Sequence, residues 1–139
     1  MEIQINWFAV TLAILASLIL AKFWYSEKAF GDTWRGLTGI TPAGSKKAGK
    51  RPMVITLFAN ITTVLALAAM IYIGSVFSKN TSIRYALFDG FVAWLAFSAT
   101  TLTAHNAFEQ KRQKLTLVNA GYQLALFLTT AFIIGWLGV

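Results

Sequence analysis

Four long apolar runs, separated by short polar stretches, organise the chain: Ile5–Tyr25, Met53–Phe77, Tyr85–Ala104 and Leu115–Leu137. Each is near the roughly 20 residues that a helix needs to cross a bilayer. In lipid the backbone must satisfy its own hydrogen bonds, so a single apolar run of this length has to be helical. The pattern predicts an all-α fold, an integral membrane four-helix bundle, with residues 1–139 forming a single membrane domain. The first run reads as a retained helix. Its leading segment Met1-Glu2-Ile3-Gln4 carries no positive side chain, and Lys22-Phe23-Trp24 makes a poor signal-peptidase site.

The stretch between the first two runs has a pattern of its own. Ser26 is placed to cap a short helix, and Phe30, Trp34 and Leu37 share one face at i, i+4, i+7 spacing. This predicts an amphipathic helix lying in the membrane interface. Pro42-Ala43-Gly44-Ser45 is expected to break it.

Composition strengthens the membrane reading. The chain has 139 residues, 57% apolar and 12% charged, and soluble domains carry roughly twice that share of charge. So small a body cannot hide that much apolar surface inside itself. The absence of Cys excludes disulfides, thiolate metal sites and cysteine nucleophiles. A single His excludes a bis-histidine haem or a three-histidine zinc site within one chain. No cofactor is expected.

The net charge of +7 changes the picture through its placement. The first loop carries Lys22, Lys28, Arg35, Lys46, Lys47, Lys50 and Arg51, and the third carries Lys111, Arg112 and Lys114. The middle loop has only Lys79 and Arg84. Ten positive side chains against two predicts that loops one and three face the cytoplasm of a bacterial inner membrane, with both termini outside. Trp7 and Trp136 then belong to an outer aromatic belt, and Trp24 and Tyr25 mark the inner interface. No basic domain outside the apolar runs is available for nucleic acid. The expected partners are the lipid bilayer and anionic lipids. Lys46, Lys47, Lys50 and Arg51 should attract anionic headgroups at about 1 kcal/mol each, or serve as a topology anchor alone.

Polar residues inside the runs are costly in lipid and therefore informative. Ser17, Asn60, Ser98 and Gln123 fall at one depth on four separate helices, roughly 10–12 Å from the inner surface at 1.5 Å per residue. With Thr101 and Asn119 they form a candidate polar cavity opening toward the inner side. The other reading is interhelical packing, which small residues such as Ala59, Ala66, Ala69, Gly121 and Ala125 would support. Trp24, Tyr25, Trp34, His105, Asn106, Glu109 and Tyr122 form a candidate cluster at the inner interface. His105 and Glu109 are four apart on one helical face and read as a hydrogen-bonded pair, with half a metal site as the sharper alternative. Asp89 lies about one turn into the third run at the outer side. There the helix macrodipole and Arg84 can stabilise it; a proton or cation site is the other possibility.

Certain pieces of the chain occur together in a known family. Asn6-Trp7 opens the first run, and Trp24-Tyr25-Ser26 closes it, followed by Phe30-Gly31, Trp34 and Gly39. Later come Gly90-Phe91, Trp94-Leu95, Phe97, Phe108-Glu109 and Asn119-Ala120-Gly121-Tyr122. The combination resembles the bacterial membrane family catalogued as domain of unknown function 1761. The resemblance runs over nearly the whole chain and implies a four-helix membrane protein. It implies no activity, substrate or catalytic residue.

No Gly-rich phosphate loop or nucleophile motif is present. A non-enzymatic membrane component is expected, either a homo-oligomer or an accessory subunit of a larger membrane complex. The alternative is a transporter or channel for a small solute or ion, with its polar site in the cytoplasmic half of the membrane.

Overall fold

The computed structural model describes residues 5–138, and the leading segment Met1-Glu2-Ile3-Gln4 lies outside them. Six helices follow one another: α1 (Trp7–Trp24), α2 (Gly31–Thr38), α3 (Pro42–Ala48), α4 (Arg51–Ser78), α5 (Ile83–Phe108) and α6 (Gln113–Leu137). Among the described residues there is no strand. α1, α4, α5 and α6 are each long and apolar enough to cross a membrane, and they coincide with the four predicted runs. The fold is an all-α membrane bundle with short interfacial-length helices in the first loop.

Local chemistry sets most helix ends. The Asn6 carboxamide accepts from the Ala9 backbone N–H, Thr41 accepts from Gly44 ahead of Pro42, and Ser82 accepts from Tyr85. α2 stops at Gly39 and α4 at Lys79, both in the left-handed region. Ser26 does not cap α2, as its spacing suggested. Its hydroxyl donates to the Phe23 carbonyl at 2.6 Å and closes α1 instead, and α2 starts five residues later at Gly31. Pro42 does not merely break α2. Its fixed φ and missing N–H suit a helix's first turn, so it opens α3.

α6 is the centre of the bundle. It packs against α1, α4 and α5 and also against α2, and a larger share of it is buried than of any other long helix. α4 closes the other side by touching both α1 and α5. One apolar core lies toward the termini, built from Ala9, Val10, Ala13, Val64, Ala68 and Ile134 with their neighbours. Lipid tails are as apolar as these side chains, so close contact and not water exclusion must hold the helices together.

The α5–α6 seam is closely packed. A Cβ on Gly90 would stand 2.7 Å from the Ala131 Cβ, and a Cβ on Gly135 the same distance from the Ala86 Cβ. Ala86 and Gly90 are one turn apart on α5, as are Ala131 and Gly135 on α6. Two small-x-x-x-small pairs therefore interlock in antiparallel register. Of the small residues expected to support packing between helices, Ala59 and Ala66 are instead exposed on the outside of α4.

One π-helical turn, Trp94–Ala99, interrupts α5. Its wider turn rotates the second half of the helix relative to the first. Such turns recur where a helix presents particular side chains.

Candidate functional site

Loops one and three share one end of the bundle, called here the basic end. There the close of α1 is bolted to α6. The Trp24 indole donates to the Val118 carbonyl at 3.1 Å, and the Tyr25 hydroxyl donates to the Asn119 carboxamide oxygen at 2.9 Å. From the other side of α6, the Trp94 indole donates to the Ala120 carbonyl at 2.9 Å. These carbonyls lie within a helix, so each indole uses the second lone pair of an oxygen already engaged by the ladder. Gly121 makes room: its missing Cβ would stand 3.1 Å from Trp24 Cζ2.

The turn after α1 holds α2 beneath this joint. Phe30 N–H donates to the Trp24 carbonyl at 2.9 Å and Gly31 N–H to the Ser26 carbonyl at 2.9 Å. A Cβ on Gly31 would fall 2.5 Å from the Tyr25 carbonyl oxygen, so only glycine fits there. Phe30 lies on Trp24 with ring centres 4.5 Å apart, Trp34 meets Tyr25 edge-on at 5.7 Å, and Tyr25 meets Tyr122 at 5.4 Å. The predicted face of α2 is thus turned onto the bundle.

The predicted polar layer divides into two parts. Ser17 and Asn60 are fully buried, and the Asn60 amide donates to the Ser17 hydroxyl at 3.2 Å and to the Tyr122 hydroxyl at 3.1 Å. The Ser17 hydroxyl donates in turn to the Ile14 carbonyl at 2.7 Å. This cluster is closed among α1, α4 and α6. Ser98 and Gln123 do not join it. With Thr63, Phe97, Thr101 and Phe127 they line a separate depression of about 300 Å³ between α4 and α5, floored by α6. Phe97 and Thr101 are exposed, so the depression opens on the outside of the bundle. The reason is angular. Asn60 and Thr63 are three residues apart on α4, about 60° around the axis, enough to face opposite sides of α6.

Tyr122 was expected only in the interface cluster, yet it joins both groups, because a phenol's length carries its hydroxyl to Asn60. Asn119 belongs with Tyr25 and lies apart from Gln123's depression. Asn106 is buried and donates to the Thr116 hydroxyl at 2.9 Å, tying the end of α5 to the start of α6.

No hydrogen bond joins His105 to Glu109 among the described residues. Glu109 falls just past the end of α5 and pairs with Lys111. The Lys111 ammonium holds the exposed Glu109 carboxyl below its ordinary range. His105 is exposed, and no three metal-ligating side chains gather among the described residues. Lys46, Lys47, Lys50 and Arg51 are all exposed on and after α3.

Asp89 also departs from expectation. α5 begins at Ile83, so Asp89 stands almost two turns in, beyond the first turn where the macrodipole acts. It makes no ion pair with Arg84; the ion pair among the described residues is Lys111–Glu109. Its carboxylate instead lies over Gly74 of α4, 2.7 Å from where a Cβ there would stand. Thr63 and Gly74 are eleven residues, three turns, apart on α4 and share a face. Asp89 and the depression therefore lie along one α4–α5 groove, whereas a regular 100° per residue over the nine residues from Asp89 to Ser98 would set these two on opposite faces. The π turn between Asp89 and Thr101 accounts for the change.

Two contacts were missed from sequence. Asn6 donates through its amide to the Leu137 carbonyl at 3.1 Å, joining the two ends of the chain. Trp94 stands in the sequence only as part of the family pattern, with nothing to mark its bond to the Ala120 carbonyl.

Residues 8–135 match the model of the family described as Protein of unknown function (DUF1761). The chain belongs to this family. No curated protein and no solved structure matches it. The family pieces Trp24-Tyr25-Ser26, Phe30-Gly31, Trp34, Trp94 and Asn119-Ala120-Gly121-Tyr122 meet in the single joint just described. Asn6, the first of them, makes the contact at the opposite end.

Proposed function

We propose that this family member is a non-enzymatic membrane component that works by assembly, as an oligomer or as an accessory subunit. The observation that carries the reading is the division of the polar layer. Ser17, Asn60 and Tyr122 satisfy one another inside the chain, as interhelical packing requires. Ser98, Thr101 and Gln123 instead open on the outer wall of the bundle, in the α4–α5 groove. Hydrocarbon offers a carboxamide nothing to bond with, and an unmet polar group there costs several kcal/mol. A protein neighbour supplies what lipid does not. The transport alternative keeps one foothold in the same place, because a path along this depression would run between protomers and not through one.

The basic end faces the cytoplasm in this reading, and α2, α3 and the Lys46–Arg51 stretch rest on the inner headgroups.

The test is the mass of the protein extracted from its own membrane in a mild detergent or polymer disc. A defined oligomer, or a constant co-purifying chain, supports assembly. A bare monomer at every protein concentration overturns it.

A further inference from the structure

Asp89 is a carboxylate set inside a membrane span, and no cation among the described residues pairs with it. It lies about 9 Å beyond the start of α5, six residues on at 1.5 Å each. Gly74 accommodates it, and among the described residues no Lys or Arg pairs with it. Acidic side chains at such depth either pair or face a cavity. Lys79 and Arg84 stand at the near ends of the same two helices, and among the described residues neither pairs with an acid. Arg84 cannot simply fold back onto Asp89. Five residues of helix turn it about 140° away.

We infer that the α4–α5 face is the docking surface for a second copy of this chain, with each Asp89 neutralised by the partner's Lys79 or Arg84. The inference rests on the assembly reading and gives it an occupant. One chain holds both halves of an ion pair that it does not close; a two-fold pair of chains closes it twice. Every copy inserts the same way up, so the partner's basic residues arrive about 7.5 Å nearer the surface than Asp89. Lys and Arg side chains span that offset readily. Three turns further along the same groove, the Gln123 amide and the Ser98 hydroxyl meet the partner helix. Exposed small residues let the backbones approach: Ala59 and Ala66 on α4, and Ala96, Thr100 and Ala104 on α5.

The chain has no Cys, so single cysteines report cleanly. Ala66→Cys and Ala96→Cys should give covalent dimers when native membranes are oxidised. Ile19→Cys, exposed on α1 away from the groove, should not. Asp89→Asn should weaken dimerisation in liposomes about tenfold, the scale of one strong intramembrane polar contact. Lys79→Gln/Arg84→Gln should weaken it equally, and the triple variant no further. That surface double variant guards against misreading a folding defect. Dimers through Ile19→Cys alone overturn the surface and leave the assembly reading standing. Cross-links from Ala66→Cys to a different chain overturn the second copy and again spare assembly. Monomers throughout, with no other chain captured, overturn both.

Discussion

Trp24 lies against the bare backbone of Gly121, with Cζ2 3.1 Å from where a Cβ would stand, while its indole donates to the Val118 carbonyl one turn below. The two contacts depend on each other. The ring reaches the carbonyl only because the α6 surface is cut away at residue 121. Gly121→Ala should therefore displace the ring by a few tenths of an ångström, and Gly121→Val should break the hydrogen bond outright. An overpacked contact costs about 1–3 kcal/mol, and the lost bond about 1 kcal/mol more. Thermal unfolding in detergent should rank wild type above Gly121→Ala and Gly121→Ala above Gly121→Val. Equal stability of all three would mean that the joint is not what holds α1 to α6.

Asn60 poses a different question, because its partners are themselves polar. Asn60→Leu leaves the Tyr122 hydroxyl buried without its partner, at about 1–3 kcal/mol. Ser17 keeps its bond to the Ile14 carbonyl and loses less. Tyr122→Phe should cost a similar amount by stranding the Asn60 amide. The double variant should be milder than the sum, since removing both partners removes the stranded group. An equilibrium unfolding cycle in micelles measures the coupling. Strict additivity would show that Asn60 and Tyr122 do not bond.

These two contacts show what was readable beforehand. The four spans were visible because lipid imposes one backbone solution on any long apolar run. Ser17 and Asn60 were placed at one depth by counting rise per residue. Counting gives depth but not azimuth, and azimuth decided that Ser98 and Gln123 face another groove. The π turn added to the error, because a regular 100° per residue carried Asp89 away from Ser98 when the wider turn keeps them along one groove. Trp24 and Trp94 were legible as members of a family pattern, but their partners were not. Both donate to backbone carbonyls, and a carbonyl leaves no mark in a sequence. Ser26 closes α1 and does not cap α2, and a serine before a helix and a serine after one look alike in sequence.

The ten-to-two distribution of positive charge predicts which way up the bundle inserts. Thr81→Cys in the middle loop should react with a membrane-impermeant maleimide on intact cells. Ala43→Cys in α3 should react only after the cells are opened. Both positions are exposed, so accessibility within the protein does not confuse the comparison. The reverse pattern would invert the bundle and move the aromatic joint to the outer face.

The basic stretch at the end of α3 and just after it should select anionic lipid. Thr41 and Pro42 start α3, and Gly49, with φ at 65°, ends it two residues before α4 begins at Arg51. That geometry brings Lys46, Lys47, Lys50 and Arg51 into a short, exposed segment at the mouth of a membrane span. Each positive side chain near a negative surface contributes about 1 kcal/mol, and the contribution falls away within a Debye length. Replacing all four with Gln should therefore remove most of the anionic lipid that travels with the protein, as read by native mass spectrometry of mixed-lipid discs. Raising salt should weaken the wild type's selection and leave the variant's unchanged. The same substitution lowers the count on loops one and three from ten to six against two. The cysteine assay above must accompany it, to separate lost lipid binding from scrambled insertion. Unchanged lipid content with unchanged orientation would leave these four charges without the role argued for them.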